Sequence, residues 1–165
     1  MFELEGWRDI TPAMRKRVGR VLRDWRQHHR PFEDTEYWAA RFLPFDDVFA
    51  HTRGTQPVRL WRSERTDIDN RYTTRFTSWA RSAAAIHSFG WGTRRMVTAV
   101  FEPDDILVDF VNLDLDPEQM QEVIVRPGDY QIWPWREIWD RNGHFNLYEQ
   151  PERARAAGYT LGRQR

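Results

Sequence analysis

Glu122-Val123-Ile124-Val125-Arg126-Pro127-Gly128 is the stretch on which the fold turns. Three consecutive β-branched residues read as a short buried strand, and Pro-Gly closes it. The carboxylate at its start is the unusual part. Strands disfavour Glu, and a half-buried charge needs a partner. Two upstream segments offer such partners. Arg62 ends the apolar run Val58-Arg59-Leu60-Trp61-Arg62, and Ser78 lies in Arg75-Phe76-Thr77-Ser78-Trp79-Ala80.

Outward from this strand, the pattern is mainly β from Val58 onward. Expected strands are Val58 to Ser63, Arg71 to Thr77, Met96 to Phe101, Ile106 to Asn112, Glu122 to Val125 and Tyr130 to Glu137. Pro134 makes the last an edge strand or marks a bulge. Ala83-Ala84-Ala85-Ile86, with Gly90 beyond, predicts a helix over Ala80 to Phe89, entered through a Ser78-Trp79 turn. The first fifty residues read as helical. Thr11-Pro12 is a cap and first-turn pair, and Met14, Val18, Val21, Leu22 and Trp25 recur at helical spacing. Arg15, Lys16, Arg23 and Arg26 then fall on the other side. A second helix is expected from Asp34 or Thr35 to Phe42, ending before Pro44. Residues 50 to 57 form a loop, and Pro151 to Gly158 a short terminal helix. Helices ahead of six short strands make an α+β domain. The whole chain, 1–165, reads as one domain: a helical lead-in over 1–50, a core over 56–140 and a tail over 141–165.

Composition limits the function classes. One hundred and sixty-five residues suffice for a single buried core. A formal net charge of zero gives no global field for nucleic acid or anionic membranes. Nine Trp and ten Phe are too many aromatics for a disordered chain. No apolar run approaches the ~20 residues that span a bilayer, and the acidic start Met1-Phe2-Glu3-Leu4-Glu5 lacks the basic start and apolar stretch expected of a secretory signal. A cytoplasmic monomer is the expectation, with delivery as an effector left open. The absence of cysteine rules out disulfides and thiolate catalysis. Lys16 is the only lysine. The arginine bias suits phosphate ligands and equally suits codon usage. No metal site is expected: His28 and His29 are adjacent and point apart, and Asp104-Asp105 and Asp114/Asp116 lack EF-hand spacing.

An Arg ending one strand, a Ser-Trp pair leading to an Ala-rich segment, and a Glu opening a late strand resemble, in order and spacing, the Arg–Ser–Glu class of ADP-ribosyltransferases. The resemblance covers roughly residues 56 to 140. It implies a split pair of small sheets with an NAD cleft between them, and a mono-ADP-ribosyltransferase for which NAD is co-substrate. Cleaving the nicotinamide–ribose bond creates an oxocarbenium-like centre, which a carboxylate bonded to the ribose 2′-OH stabilises. The resemblance gives Glu122 that role. Arg62, with Ser63 beside it, and Ser78, with Trp79, become NAD-binding residues. Arg59 and Arg53 are alternative arginines for the clamp, and Tyr72 and Phe89 are further aromatics for stacking. Residues 112 to 121 become the loop that selects the acceptor, with Gln119, Met120 and Gln121 nearest the chemistry. Arginine-modifying members carry a Glu two positions before the catalytic Glu, and this chain has Met120 there. A thioether cannot hold a guanidinium. The expected acceptor is therefore a protein or nucleic-acid group other than arginine, or water in an NAD glycohydrolase. Residue by residue, the alternatives are a surface Glu, an Arg62 ion pair with Glu64 or Asp67, and a Ser78 helix cap. A nucleic-acid-binding module using the basic first helix, or a non-catalytic protein of the same fold, are the rival functions.

Overall fold

The computed structural model describes residues 10–27, 35–65, 70–83, 85, 94–113, 121–134, 137–140 and 143–146. Helix α1 spans Pro12–Gln27, α2 Thr35–Phe42 and α3 Asp46–Ala50, with a 3-10 turn at Leu43–Phe45. Thr11 caps α1, its Oγ1 accepting from Met14 N at 3.2 Å, and Pro12 fills the first helical position, where a missing N–H costs nothing. Val18, Val21, Leu22 and Trp25 form the buried stripe of α1, as the helical spacing predicts. The short α3 breaks no pattern in the sequence, yet it was not expected; Val48 and Phe49 anchor it in the core.

Six strands form one antiparallel sheet in the order β4-β5-β2-β1-β3-β6: β1 Val58–Arg65, β2 Thr77–Ala80, β3 Arg94–Phe101, β4 Ile106–Asp109, β5 Glu122–Val125 and β6 Trp133–Pro134. A separate hairpin pairs β7, Glu137–Asp140, with β8, Gly143–Asn146. The protein is thus α+β. No described helix is long and apolar enough to cross a membrane.

Hydrogen bonding is uneven across this sheet. β1 and β3 pair over eight positions, from Val58↔Phe101 to Arg65↔Arg94. β1 and β2 meet in register only at Trp61↔Ala80. The halves β4-β5-β2 and β1-β3-β6 are therefore joined by a narrow seam. The strands belong to one sheet, where two were expected, because this single pair joins the halves.

Sheet alternation sorts the side chains into two cores. Ile124 packs with Val108, Phe110, Phe76 and the helices, including Trp25, Trp38, Phe42 and Phe49. Val123 and Val125 point the other way, with Leu60, Trp79, Val97, Ala99 and Phe101. A register irregularity in β4 between Ile106 and Val108 lets Ile106 join the second cluster while Val108 joins the first. The helical lead-in is therefore the cover of one sheet face and not an appendage.

Three expected strands need correction, and the one from Tyr130 to Glu137 is reduced to β6, Trp133–Pro134, with residues 130–132 outside any strand. Arg71 to Thr77 is not a strand: residues 72–74 turn, Arg71 has a φ of 50°, and β2 starts only at Thr77. A non-glycine residue in the left-handed region suits a turn and cannot extend a strand. Consequently Ser78, Trp79 and Ala80 lie within a strand, not in a turn entering a helix, and Arg81–Ala83 bend. The strand expected to reach Asn112 ends at Asp109, since the Asp109 carboxylate accepts from Val111 N at 3.0 Å and turns the chain. Pro134 lies on the sheet edge, beside β3, where a missing N–H is tolerated. Most of the Ala-rich segment, His28-His29, residues 114–120 and residues 151–158, where a terminal helix was expected, lie outside the described residues.

Candidate functional site

Glu122 starts β5 opposite Ala80, and Ile124 sits opposite Ser78. This antiparallel register sends Ser78 and Glu122 out of the same face as diagonal neighbours, within reach of each other. The Ser78 hydroxyl donates to Glu122 Oε2 in a short hydrogen bond. Trp25 Nε1 donates to the same oxygen at 3.1 Å, and Arg26 Nε donates to Oε1 at 3.0 Å. The carboxylate side chain is 13% exposed and its arginine partner 25%, so the pair is shielded from salt and solvent far more than a surface bridge is.

Entry into β5 is tightly held. Gln121 has a φ of 52°, a conformation that costs a non-glycine residue about 1–2 kcal/mol. Its carbonyl accepts from Arg81 N at 3.1 Å, and Phe110 N donates to the Glu122 carbonyl at 3.0 Å. Neighbours on both sides thus fix the backbone that aims the carboxylate. Beside this turn, Asp109 is buried and bonded to Arg81 Nε at 2.7 Å. Burial raises the Asp109 pKa above the usual carboxylate value, against the opposing pull of Arg81.

Arg62 joins the group by a different route. Trp61 opposes Ala80, so Arg62 leaves β1 on the face opposite to Ser78 and Glu122. Its Nη1 nevertheless donates to the Ser78 carbonyl at 2.8 Å, in the gap where β1 and β2 part. Its Nε is buried without a hydrogen-bond partner. Arg62 does not pair with Glu64. That carboxylate, 1% exposed, accepts from Arg95 Nε at 2.6 Å and, in a short bond, from the Tyr72 hydroxyl. Burial is the largest cause raising the Tyr72 phenol pKa. Glu64, Tyr72, Arg95 and Tyr130 line an open pocket of about 650 Å³.

The three residues on which the resemblance rests thus meet around Ser78, Glu122 through its hydroxyl and Arg62 through its carbonyl. Trp79 does not join them. It is 2% exposed, packs its ring against Phe101 and Tyr72, and donates to Thr77 Oγ1 at 2.8 Å; a ring enclosed this way offers no face to a ligand. Ser63 lies half-buried opposite Met96. Gln121 is placed at the turn described above, whereas Gln119 and Met120 lie outside the described residues. Ser78 is no helix cap, being inside β2.

Sequence reasoning missed Trp25 and Arg26. Helical spacing sets Trp25 in the apolar stripe of α1 and Arg26 on its other side, with no role for either at Glu122. In the structure Arg26 lies over the Phe110 ring at 4.5 Å and bonds Glu122. No local spacing pairs residues 96 positions apart; the only cue was a basic residue next to a Trp in a helix's last turn. Among the described residues no cluster of metal-ligating side chains occurs. No family model, no curated protein and no solved structure matches this chain.

Arg62→Lys probes the seam. Lysine keeps the charge but loses the planar fork that donates to the Ser78 carbonyl. If Arg62 is the NAD clamp that the resemblance implies, affinity for NAD is expected to fall about tenfold or more in calorimetric titration, with stability lowered by roughly 1 kcal/mol for the lost carbonyl contact. Unaltered affinity would confine Arg62 to tying the strands together.

Proposed function

We propose that the protein is a mono-ADP-ribosyltransferase that cleaves the nicotinamide–ribose bond of NAD and transfers ADP-ribose to a macromolecular acceptor. The observation that carries this reading is the Ser78 hydroxyl on Glu122, at the start of β5, beside the seam that Arg62 spans. Glu122 is the group for the ribose: an ionised carboxylate accepts from the 2′-OH more strongly as the ring becomes cationic. Ser78 orients that carboxylate. Arg62 reaches the ligand where the strands part, and an always-charged fork there suits the diphosphate or the ribose. The single-pair seam between β1 and β2 supports a division into two small sheets with the cleft along the gap.

Incubation with NAD tests the proposal directly. Nicotinamide release, with ADP-ribose on an acceptor or free in solution, is the expected result, and the free form would make the protein an NAD glycohydrolase. No release above the uncatalysed rate removes the proposal.

Met120 sets the acceptor. Without a carboxylate at that position we expect agmatine to be a poor acceptor, and Met120→Glu to create transfer to it, as seen by mass spectrometry of the product. Efficient wild-type transfer to agmatine would show that Glu118, Gln119 or Gln121 already holds the guanidinium.

A second reading is favoured by one observation: both Glu122 oxygens are engaged within the chain. On that reading Glu122 ties α1 to the sheet in a non-catalytic protein of the same fold. Retained NAD inertness with a large stability loss on Glu122→Gln would support it.

A further inference from the structure

We propose that Arg26 is a ligand-binding residue that exchanges its bond to Glu122 for the diphosphate of the dinucleotide, so that the last turn of α1 forms a wall of the NAD site. The inference rests on the reading above and adds a residue from outside the three that suggested it. Ser78 and Trp25 both donate to Oε2, so Oε1, held by Arg26, is the oxygen nearer to being available to a ribose hydroxyl. A guanidinium left on that oxygen would cancel much of the negative charge that a cationic transition state needs. Catalysis by Glu122 therefore requires the pair to loosen. A diphosphate offers the guanidinium a partner with more charge and more acceptor oxygens than one carboxylate.

The surroundings permit this exchange. Arg26 is the more exposed member of the pair, and its flat group rests on the Phe110 ring. A guanidinium stacked on an aromatic face keeps that contact while its donor edge turns. Trp25 and Ser78 hold Oε2 in place meanwhile, so the carboxylate does not follow the arginine. The ligand class that matches is one with a hydroxyl-bearing ribose beside an anionic phosphate. The chain's own ion pair occupies both positions until such a ligand arrives.

The test is titration of wild type, Arg26→Gln and Arg26→Lys with NAD, ADP-ribose and nicotinamide riboside, which lacks phosphate. For Arg26→Gln we expect Kd for NAD and for ADP-ribose to rise about tenfold or more, whereas the riboside, relieved of the guanidinium on Glu122 Oε1, should bind at least as tightly as to wild type. Arg26→Lys keeps the charge over Phe110 and should fold as wild type; it is expected to weaken both phosphate ligands about threefold or more, which keeps the proposal testable should the glutamine variant unfold. Unchanged affinities for NAD and ADP-ribose would overturn it, and tighter binding of these two would reduce Arg26 to a plug on Glu122. If wild type cleaves NAD and the variants bind it normally, this inference fails alone. If wild type binds none of the three ligands, the NAD reading fails with it.

Discussion

Glu122→Gln is expected to lower nicotinamide release from NAD a hundredfold or more, equivalent to about 3–4 kcal/mol of transition-state stabilisation. The amide keeps the shape of the side chain and its carbonyl oxygen can still accept from Ser78 and Trp25, the two donors on Oε2. The amide nitrogen then faces Arg26 Nε, donor against donor, where the carboxylate accepted at 3.0 Å. One charge-assisted bond is lost, so the folded state should lose only about 1–3 kcal/mol. The two readouts separate the functions proposed for this residue. A catalytic Glu122 loses turnover far out of proportion to stability, whereas a structural tie loses stability with no NAD turnover in either protein. Nicotinamide release within a few-fold of wild type would take Glu122 out of the chemistry.

Phe42→Ala carries the largest expected effect on stability, a loss of about 3–5 kcal/mol read by chemical denaturation. Phe42 is 2% exposed. It stacks on Trp38 at 5.3 Å and meets Trp25, Phe49 and Phe76 at 5.7, 6.1 and 5.5 Å between ring centroids. Those partners belong to α1, α2, α3 and the segment leading into β2, so no single element is able to close over the space that truncation leaves. The unfolding transition should stay single, because the helices and the sheet share this core. A separate early transition would mean that the helical segment melts by itself, and a loss below about 1 kcal/mol would contradict the packing described.

The elements that were legible in the sequence are those whose pattern is local. The α1 stripe of Val18, Val21, Leu22 and Trp25 follows from the helical period, and the bounds of β5 follow from a β-branched run between a charge and Pro-Gly. The α+β class follows from their order. Around Ser78 the local signals misled. Arg71 to Thr77 alternates as a strand does, yet Arg71 adopts a left-handed turn and the strand starts later; what decides this is the pairing of Thr77 to Ala80 against β5, a long-range fact. The site was legible in part for the same reason. Glu122, Ser78 and Arg62 were singled out through a resemblance in order and spacing, and they do lie around one point. Their facing did not follow from it, since Arg62 leaves the sheet on the other side and meets Ser78 at its carbonyl. Arg26 and Trp25 were out of reach, because contacts across most of a hundred residues leave no trace in periodicity.

The seam between β1 and β2 amounts to an edge placed inside the sheet. Backbone groups of two strands face each other there with one registered pair between them, and an edge of this kind elsewhere invites foreign strands or water. Here the side chain of Arg62 takes the Ser78 carbonyl that a neighbouring strand would otherwise occupy. Because a side chain and not a strand holds that carbonyl, the continuity of the sheet at this point depends on Arg62 and on the buried cluster that Leu60, Trp79, Phe101 and Val123 share across the seam.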